Sequence, residues 1–135
     1  MTEWIRFIKP SGSPDELGPL QLAWLGDAVW EMHHRLRLCK TPGRSKDLHE
    51  SVVSEVKAEA QAKALDELDQ YLNQEEKGLV KKGRNRVGRV SRKVNVATYA
   101  KATGFETLIG WLFLKNPERL ANLFDQLDSN LSNQP

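Results

Sequence analysis

With 135 residues, 39% of them hydrophobic and 28% charged, the chain has the size and balance of one soluble globular domain. No apolar run approaches the roughly 18 residues of a membrane span, and the single Cys39 can form neither an internal disulfide nor a cysteine-based zinc site. The opening residues Met1-Thr2-Glu3-Trp4-Ile5-Arg6 carry no secretion or transit pattern, so a cytoplasmic protein is expected. The net charge of +2 conceals an asymmetry. Lys77, Lys81, Lys82, Arg84, Arg86, Arg89, Arg92 and Lys93 fall within 17 residues that contain no acid; this segment carries +8, so the other 118 residues carry −6. An acidic body with one basic segment suits local contact with a polyanion, the plainer alternative being a solvated helix end.

Residues 1–15, with Pro10, Ser11, Gly12, Ser13 and Pro14, read as an irregular leader before a single domain at 16–129, and 130–135 read as a tail. From Leu17 to about Lys40, Leu22, Leu25, Val29, Met32 and Leu36 recur at helical spacing, with Pro19 tolerable only in the first turn. Thr41-Pro42-Gly43 breaks this pattern. A second helix is predicted from near Ser45 to about Leu72, its apolar stripe being Leu48, Val52, Val56, Ala60, Ala64, Leu65, Leu68 and Leu72. A short third helix, Gln74 to Lys82, leads into the basic segment, where Gly83 and Gly88 predict a loop. The fourth, Asn95 to Lys115, is the most apolar, and Pro117 opens a last helix that buries Leu120, Leu123, Phe124 and Leu127. With no alternating strand pattern, the expected fold is all-α, with about five helices.

Two acids stand out by isolation. Asp27 is the only ionisable side chain from Leu17 to Trp30, and Glu106 the only one from Ala102 to Leu114. A carboxylate in a buried helix needs a cation, a donor or a proton. Gly26 and Ala28 flank Asp27, while Gly104 and Gly110 lie near Glu106; such small residues let two helices approach and bring the acids together. Two carboxylates completed by water suit Mg²⁺, although a helix cap, an arginine pair or a plain helix interface would use the same residues. His33 and His34 are adjacent, with no chelating spacing, and read as surface or interface residues. His49 and Glu50 read as contact residues, and no phosphate-cradling glycine loop is present. Trp24, Trp30 and Trp111 suit either a core or a dimer interface.

These segments together resemble a known family. Leu25-Gly26-Asp27-Ala28-Val29 is similar to the signature of the ribonuclease III catalytic domain, and Gly104-Phe105-Glu106-Thr107-Leu108-Ile109-Gly110 to its second acidic motif, F-E-A-L-I-G. The likeness is strongest to the short Mini-III subclass, through Gln61-Ala62-Lys63-Ala64-Leu65, Gly83-Arg84-Asn85 and Ala102-Thr103-Gly104-Phe105-Glu106, and it spans about residues 16 to 127. The resemblance implies the helical ribonuclease III domain, a homodimer with a valley for duplex RNA, and one Mg²⁺-dependent centre per subunit, with Mn²⁺ as a substitute. It makes Asp27 and Glu106 the catalytic, metal-binding residues. Full-length enzymes carry further acids where this chain has Ala23 and Thr103, a reduction that Mini-III enzymes share; Asn95, Thr103 or water would then complete the metal shell.

The expected activity is hydrolysis of phosphodiesters in double-stranded RNA to 5′-phosphate and 3′-hydroxyl ends, in precursor large-subunit ribosomal RNA. Lys81, Lys82, Arg84, Asn85, Arg86, Arg89, Arg92 and Lys93 are the expected RNA contacts, joined by Lys46 and His49. The competing expectations are a non-catalytic ribonuclease III-like module of ribosome assembly and a helical adaptor for an acidic protein.

Overall fold

A computed structural model describes residues 2–10, 12–40, 54–87 and 95–132. Among them are six α-helices and no strand: α1 (Glu3–Phe7), α2 (Pro19–Lys40), α3 (Ser54–Leu68), α4 (Gln74–Asn85), α5 (Val96–Lys115) and α6 (Pro117–Ser132). Single 3₁₀ turns at Pro14–Glu16 and Asp69–Tyr71 punctuate the connections. The all-α expectation holds, with one helix more than predicted.

The helix boundaries have local causes. Asn73 and Glu76 form a reciprocal capping box at the start of α4: the Glu76 N–H donates to Asn73 Oδ1 at 2.8 Å and the Asn73 N–H to Glu76 Oε1 at 2.9 Å. Asn95 caps α5 by accepting from the Thr98 N–H at 3.2 Å. Asn116 accepts from the Arg119 N–H at 3.1 Å, and Pro117 takes the first position of α6, where it forfeits no bond.

The most apolar helix, α5, lies at the centre and packs on α2, α4 and α3. Phe105, Leu108, Ile109 and Leu112 are fully buried there against Leu22, Val29, Leu65, Leu68 and Val80, and α6 closes the core with Leu120, Leu123, Phe124 and Leu127 as expected. Trp30 meets Phe105 and Phe124 edge-on at ring-centroid distances of 5.2 and 5.8 Å, so it belongs with the core. Trp111 is buried, whereas Trp24 is 83% exposed.

Several expectations change. The leader is not irregular throughout: α1 buries Ile5 completely and docks on α6, where Arg6 pairs with Glu118 and Asp125, and the Thr2 hydroxyl donates to Asp125 Oδ1 at 2.8 Å. Ala60 points outward; Ala58, Gln61 and Ala62 take the buried positions on α3. Met32 and Tyr99 are exposed because their helices pack through neighbouring positions. Gly83 lies inside α4, since a glycine here serves helix contact and not a turn: a Cβ on it would overlap Thr107 Oγ1 and lie 2.9 Å from Gly104 Cα. His33 is fully buried, its ring 3.3 Å from Asp128 Oδ1 and 4.5 Å from the Phe124 ring centroid. The predicted helix at 45–53 and the loop at Gly88 fall outside the described residues.

Candidate active site

The site is made by close helix contact. A Cβ at Gly26 would overlap the Glu106 carbonyl oxygen, and one at Gly110 would overlap that of Leu22. The two glycines thus let α2 and α5 touch backbone to backbone over the turn from Glu106 to Gly110. Gly104 faces elsewhere, toward Val80 O and the Arg84 stem on α4, so it sets the α4–α5 distance and not the α2–α5 one. The Thr107 hydroxyl, buried at the same junction, lies 2.8 Å from Thr103 O and 3.2 Å from Pro19 O, tying α5 to the start of α2.

This contact brings Asp27 and Glu106 within hydrogen-bond reach of each other, as their isolation in apolar helices predicted. Burial, reinforced by the hydrogen bond and charge of Asp27, pushes the Glu106 carboxyl up to about 8; Gln61 and Lys57 pull the other way. Glu106 therefore keeps its proton near neutral pH, hydrogen-bonded to Asp27. Among the described residues, no group of three or more His, Cys, Asp or Glu side chains is placed to hold a metal. Ala23, one turn before Asp27, and Thr103, just before Glu106, are both buried and uncharged. Two hard oxygen donors side by side suit Mg²⁺, which takes water readily as its remaining ligands. Asn95 does not join them: it caps α5 eleven residues before Glu106, about 16 Å along the helix axis at 1.5 Å per residue.

Two residues given no role from the sequence come from α3. Lys57 pairs with Asp27 and lies 3.5 Å from Glu31 Oε1. Burial disfavours its charge, but Asp27, Glu31 and Glu106 outweigh that and hold it above the ordinary lysine range. One turn on, the Gln61 amide, 2% exposed, donates to Glu106 Oε2 at 3.2 Å. Gln61 was legible only as part of a family motif; a lone amide at a core position of an alanine-rich helix was the signal available.

The basic residues divide. Lys81, Lys82, Arg84, Asn85 and Arg86 are all exposed over the last turns of α4 and its cap. Lys81, Arg84 and Asn85 line a cleft of about 460 Å³ with Lys77, Lys101, Asp66 and Asp69, in which Lys101 bonds Asp66 at 3.0 Å. Lys82 and Arg86 do not line it. Lys46, His49, Arg89, Arg92 and Lys93 lie outside the described residues.

The family model "Ribonuclease III domain" matches residues 20–117, which contain the α2–α5 contact and both acids. The chain therefore belongs to the ribonuclease III family. Mini-ribonuclease 3 of a Synechococcus strain is 48% identical over 90% of this chain and 88% of its own length, and that of Gloeobacter violaceus is 45% identical over 79% of each. A crystal structure of a protein from Fusobacterium nucleatum superposes with a TM-score of 0.71 at 28% identity, covering 82% of this chain and 92% of that one. Within the family the similarity is to the Mini-ribonuclease 3 proteins, and the activity it supports is that of an endoribonuclease. No helix among the described residues is long and apolar enough to cross a membrane.

Proposed function

We propose that the chain is a Mg²⁺-dependent endoribonuclease that cuts double-stranded RNA as a homodimer, in maturation of large-subunit ribosomal RNA in the cytoplasm. The observation that carries the reading is the carboxyl pair Asp27–Glu106, brought together by two glycines, with burial and Asp27 pushing the Glu106 carboxyl up to about 8. A fold needing only stability would give Glu106 a cation, as Lys57 serves Asp27, or replace it.

The bound ion would supply Lewis-acid stabilisation of the phosphate and a water of lowered pKa. The chain's own residues do the rest. Asp27 and Glu106 would hold the ion, Glu106 once it has given up its proton. Gln61 fixes the Glu106 carboxylate from the side by its amide N–H. Backbone contact through Gly26 and Gly110 sets the spacing of the two acids. Exposed Lys81, Lys82, Arg84 and Arg86 would meet the phosphates of the duplex, together with Arg89, Arg92, Lys93, Lys46 and His49, while Asn85 reaches a 2′-hydroxyl.

The dimer reading rests on α2. Leu20, Trp24 and Met32, four or eight residues apart, leave one apolar stripe of that helix in solvent, with Trp24 the most exposed. A second copy packed there would set two sites on one duplex.

The test is incubation of the protein with a structured RNA duplex and Mg²⁺, beside Asp27→Asn, Glu106→Gln and a chelator control. Cleavage with 5′-phosphate products in the wild type alone is expected. Cleavage surviving both substitutions overturns the metal-site reading, and tight binding without cleavage favours a non-catalytic module.

A further inference from the structure

Asp27 already has a cation. The Lys57 ammonium reaches it from α3 and pairs with Asp27 Oδ1, one of the two oxygens through which Asp27 would hold an ion. The lysine stem is largely covered, its side chain 22% exposed, so the ammonium is held in the site and does not wander in solvent. A second acceptor lies alongside. Glu31, one helical turn beyond Asp27 on α2, has its Oε1 3.5 Å from the same ammonium, while its other tie, to the exposed Arg35, is a loose 3.6 Å contact. Lys57 and Gln61 stand one turn apart on α3, so a single helix face addresses both acids, the lysine on Asp27 and the amide on Glu106.

A unit positive charge and a divalent ion held against the same Asp27 oxygen repel one another strongly at contact distance. We propose that Lys57 is a built-in counter-ion of the site: it neutralises Asp27 while no metal is bound, is displaced by the incoming ion, and is then kept nearby by Glu31. The inference rests on the metal-site reading above. It makes Lys57 a residue that sets metal affinity and Glu31 the one that lowers the cost of exchange. A site so arranged stays folded without metal and takes up its ion reversibly.

The test reads metal binding directly, through the loss of free Mn²⁺ signal in electron paramagnetic resonance, with no RNA present. Lys57→Met keeps the stem and removes the charge; it is expected to tighten Mn²⁺ binding about tenfold and to lower the melting temperature without metal. Lys57→Gln is the second variant should the first fold poorly. Glu31→Gln is expected to weaken Mn²⁺ binding in the wild-type background and to have a much smaller effect beside Lys57→Met. Unchanged or weaker binding in both Lys57 variants overturns the proposal, as does a Glu31→Gln effect of equal size in both backgrounds. Asp27→Asn separates the two layers: if it binds Mn²⁺ like the wild type, the metal-site reading itself has failed.

Discussion

Two carboxylates, the buried Glu76 and the half-buried Glu106, lie at one small core and meet opposite surroundings. Glu76 is 2% exposed and fully engaged: Arg119 donates to both its oxygens at 2.8 and 2.9 Å, and the Asn73 N–H adds a third bond. Burial would push its pKa up, yet these donors outweigh it and hold the carboxyl below its ordinary value. Glu106 receives one neutral donor, Gln61, and faces another acid, and it rises to about 8. Burial alone thus does not mark a functional acid; the identity of its partners does. Glu76 ties α4 to α6 and to the Tyr71 carbonyl through Arg119, and is complete. Glu106 lacks a cation of its own and is chemically open.

The sharpest way to break this contrast is to remove each charge by an isosteric amide. Glu106→Gln is expected to lower the cleavage rate at least about a thousandfold, on the order of 4 kcal/mol of transition-state stabilisation. Without metal the same change should leave the melting temperature equal or higher, since the neutral amide never forms the carboxylate that burial and Asp27 disfavour. Glu76→Gln should do the reverse. The amide can still serve the capping box, but Arg119 loses its counter-charge, at a cost of about 2–3 kcal/mol; Arg119 remains partly solvated, which keeps the loss at the lower end for a broken buried pair. Denaturant unfolding measures it, and the rate per folded molecule should stay near that of the wild type. A large catalytic loss in Glu76→Gln with unchanged stability would erase the distinction.

Glycine substitutions probe the frame around Glu106. Gly26→Ala drives a methyl into the Glu106 carbonyl, a backbone atom that cannot turn aside, and should cost about 1–3 kcal/mol while weakening cleavage by displacing the acid. Gly78→Ala is the control inside α4, where a Cβ meets nothing within 4 Å; it should stabilise by about 0.5–1 kcal/mol with no change in rate. Equal behaviour of the two variants in melting and cleavage assays would refute close contact as the origin of the site.

Legibility in the sequence follows the same contrast. Asp27 and Glu106 could be read because each is the only charge in a long apolar helix, where its presence demands a reason. Glu76 could not: it follows Gln74-Glu75 and precedes Lys77, a setting that looks solvated, and its arginine lies 43 residues away. Lys57 and Gln61 were hidden on α3, where alternating charges and alanines allow more than one inward face; a shift of a residue or two exchanges Ala60 for Ala58 and Gln61. Gly83 reads as a break in the sequence because glycine weakens isolated helices, but packing against Gly104 and Thr107 overrides that preference. The short α1 escaped because five residues carry too little periodicity, and only Ile5 and the Arg6 ion pairs hold it in place.

The smallest expected effect is in the pH dependence of metal-free stability, and here the two acids have opposite signs. Glu106 has a folded pKa near 8 against 4.5 unfolded, so between those values the folded chain keeps a proton that the unfolded chain has released. Its contribution is full below pH 4.5 and is lost as pH rises toward 8. Glu76 has a folded pKa below 4.5, so its contribution is full above 4.5 and is lost as the medium is acidified past that value. His33, lowered chiefly by burial and only partly restored by Asp128, adds stability above pH 6.5 that fades below it, which opposes Glu106 over part of the window. The informative quantity is therefore the difference in melting temperature between wild type and Glu106→Gln in chelator. That gap should widen by a few degrees in the variant's favour from pH 5 to pH 8, whereas Glu76→Gln should differ from wild type least at the lowest pH at which both remain folded. A gap for Glu106→Gln that stays constant with pH would mean that the fold does not hold the Glu106 carboxyl above its ordinary value.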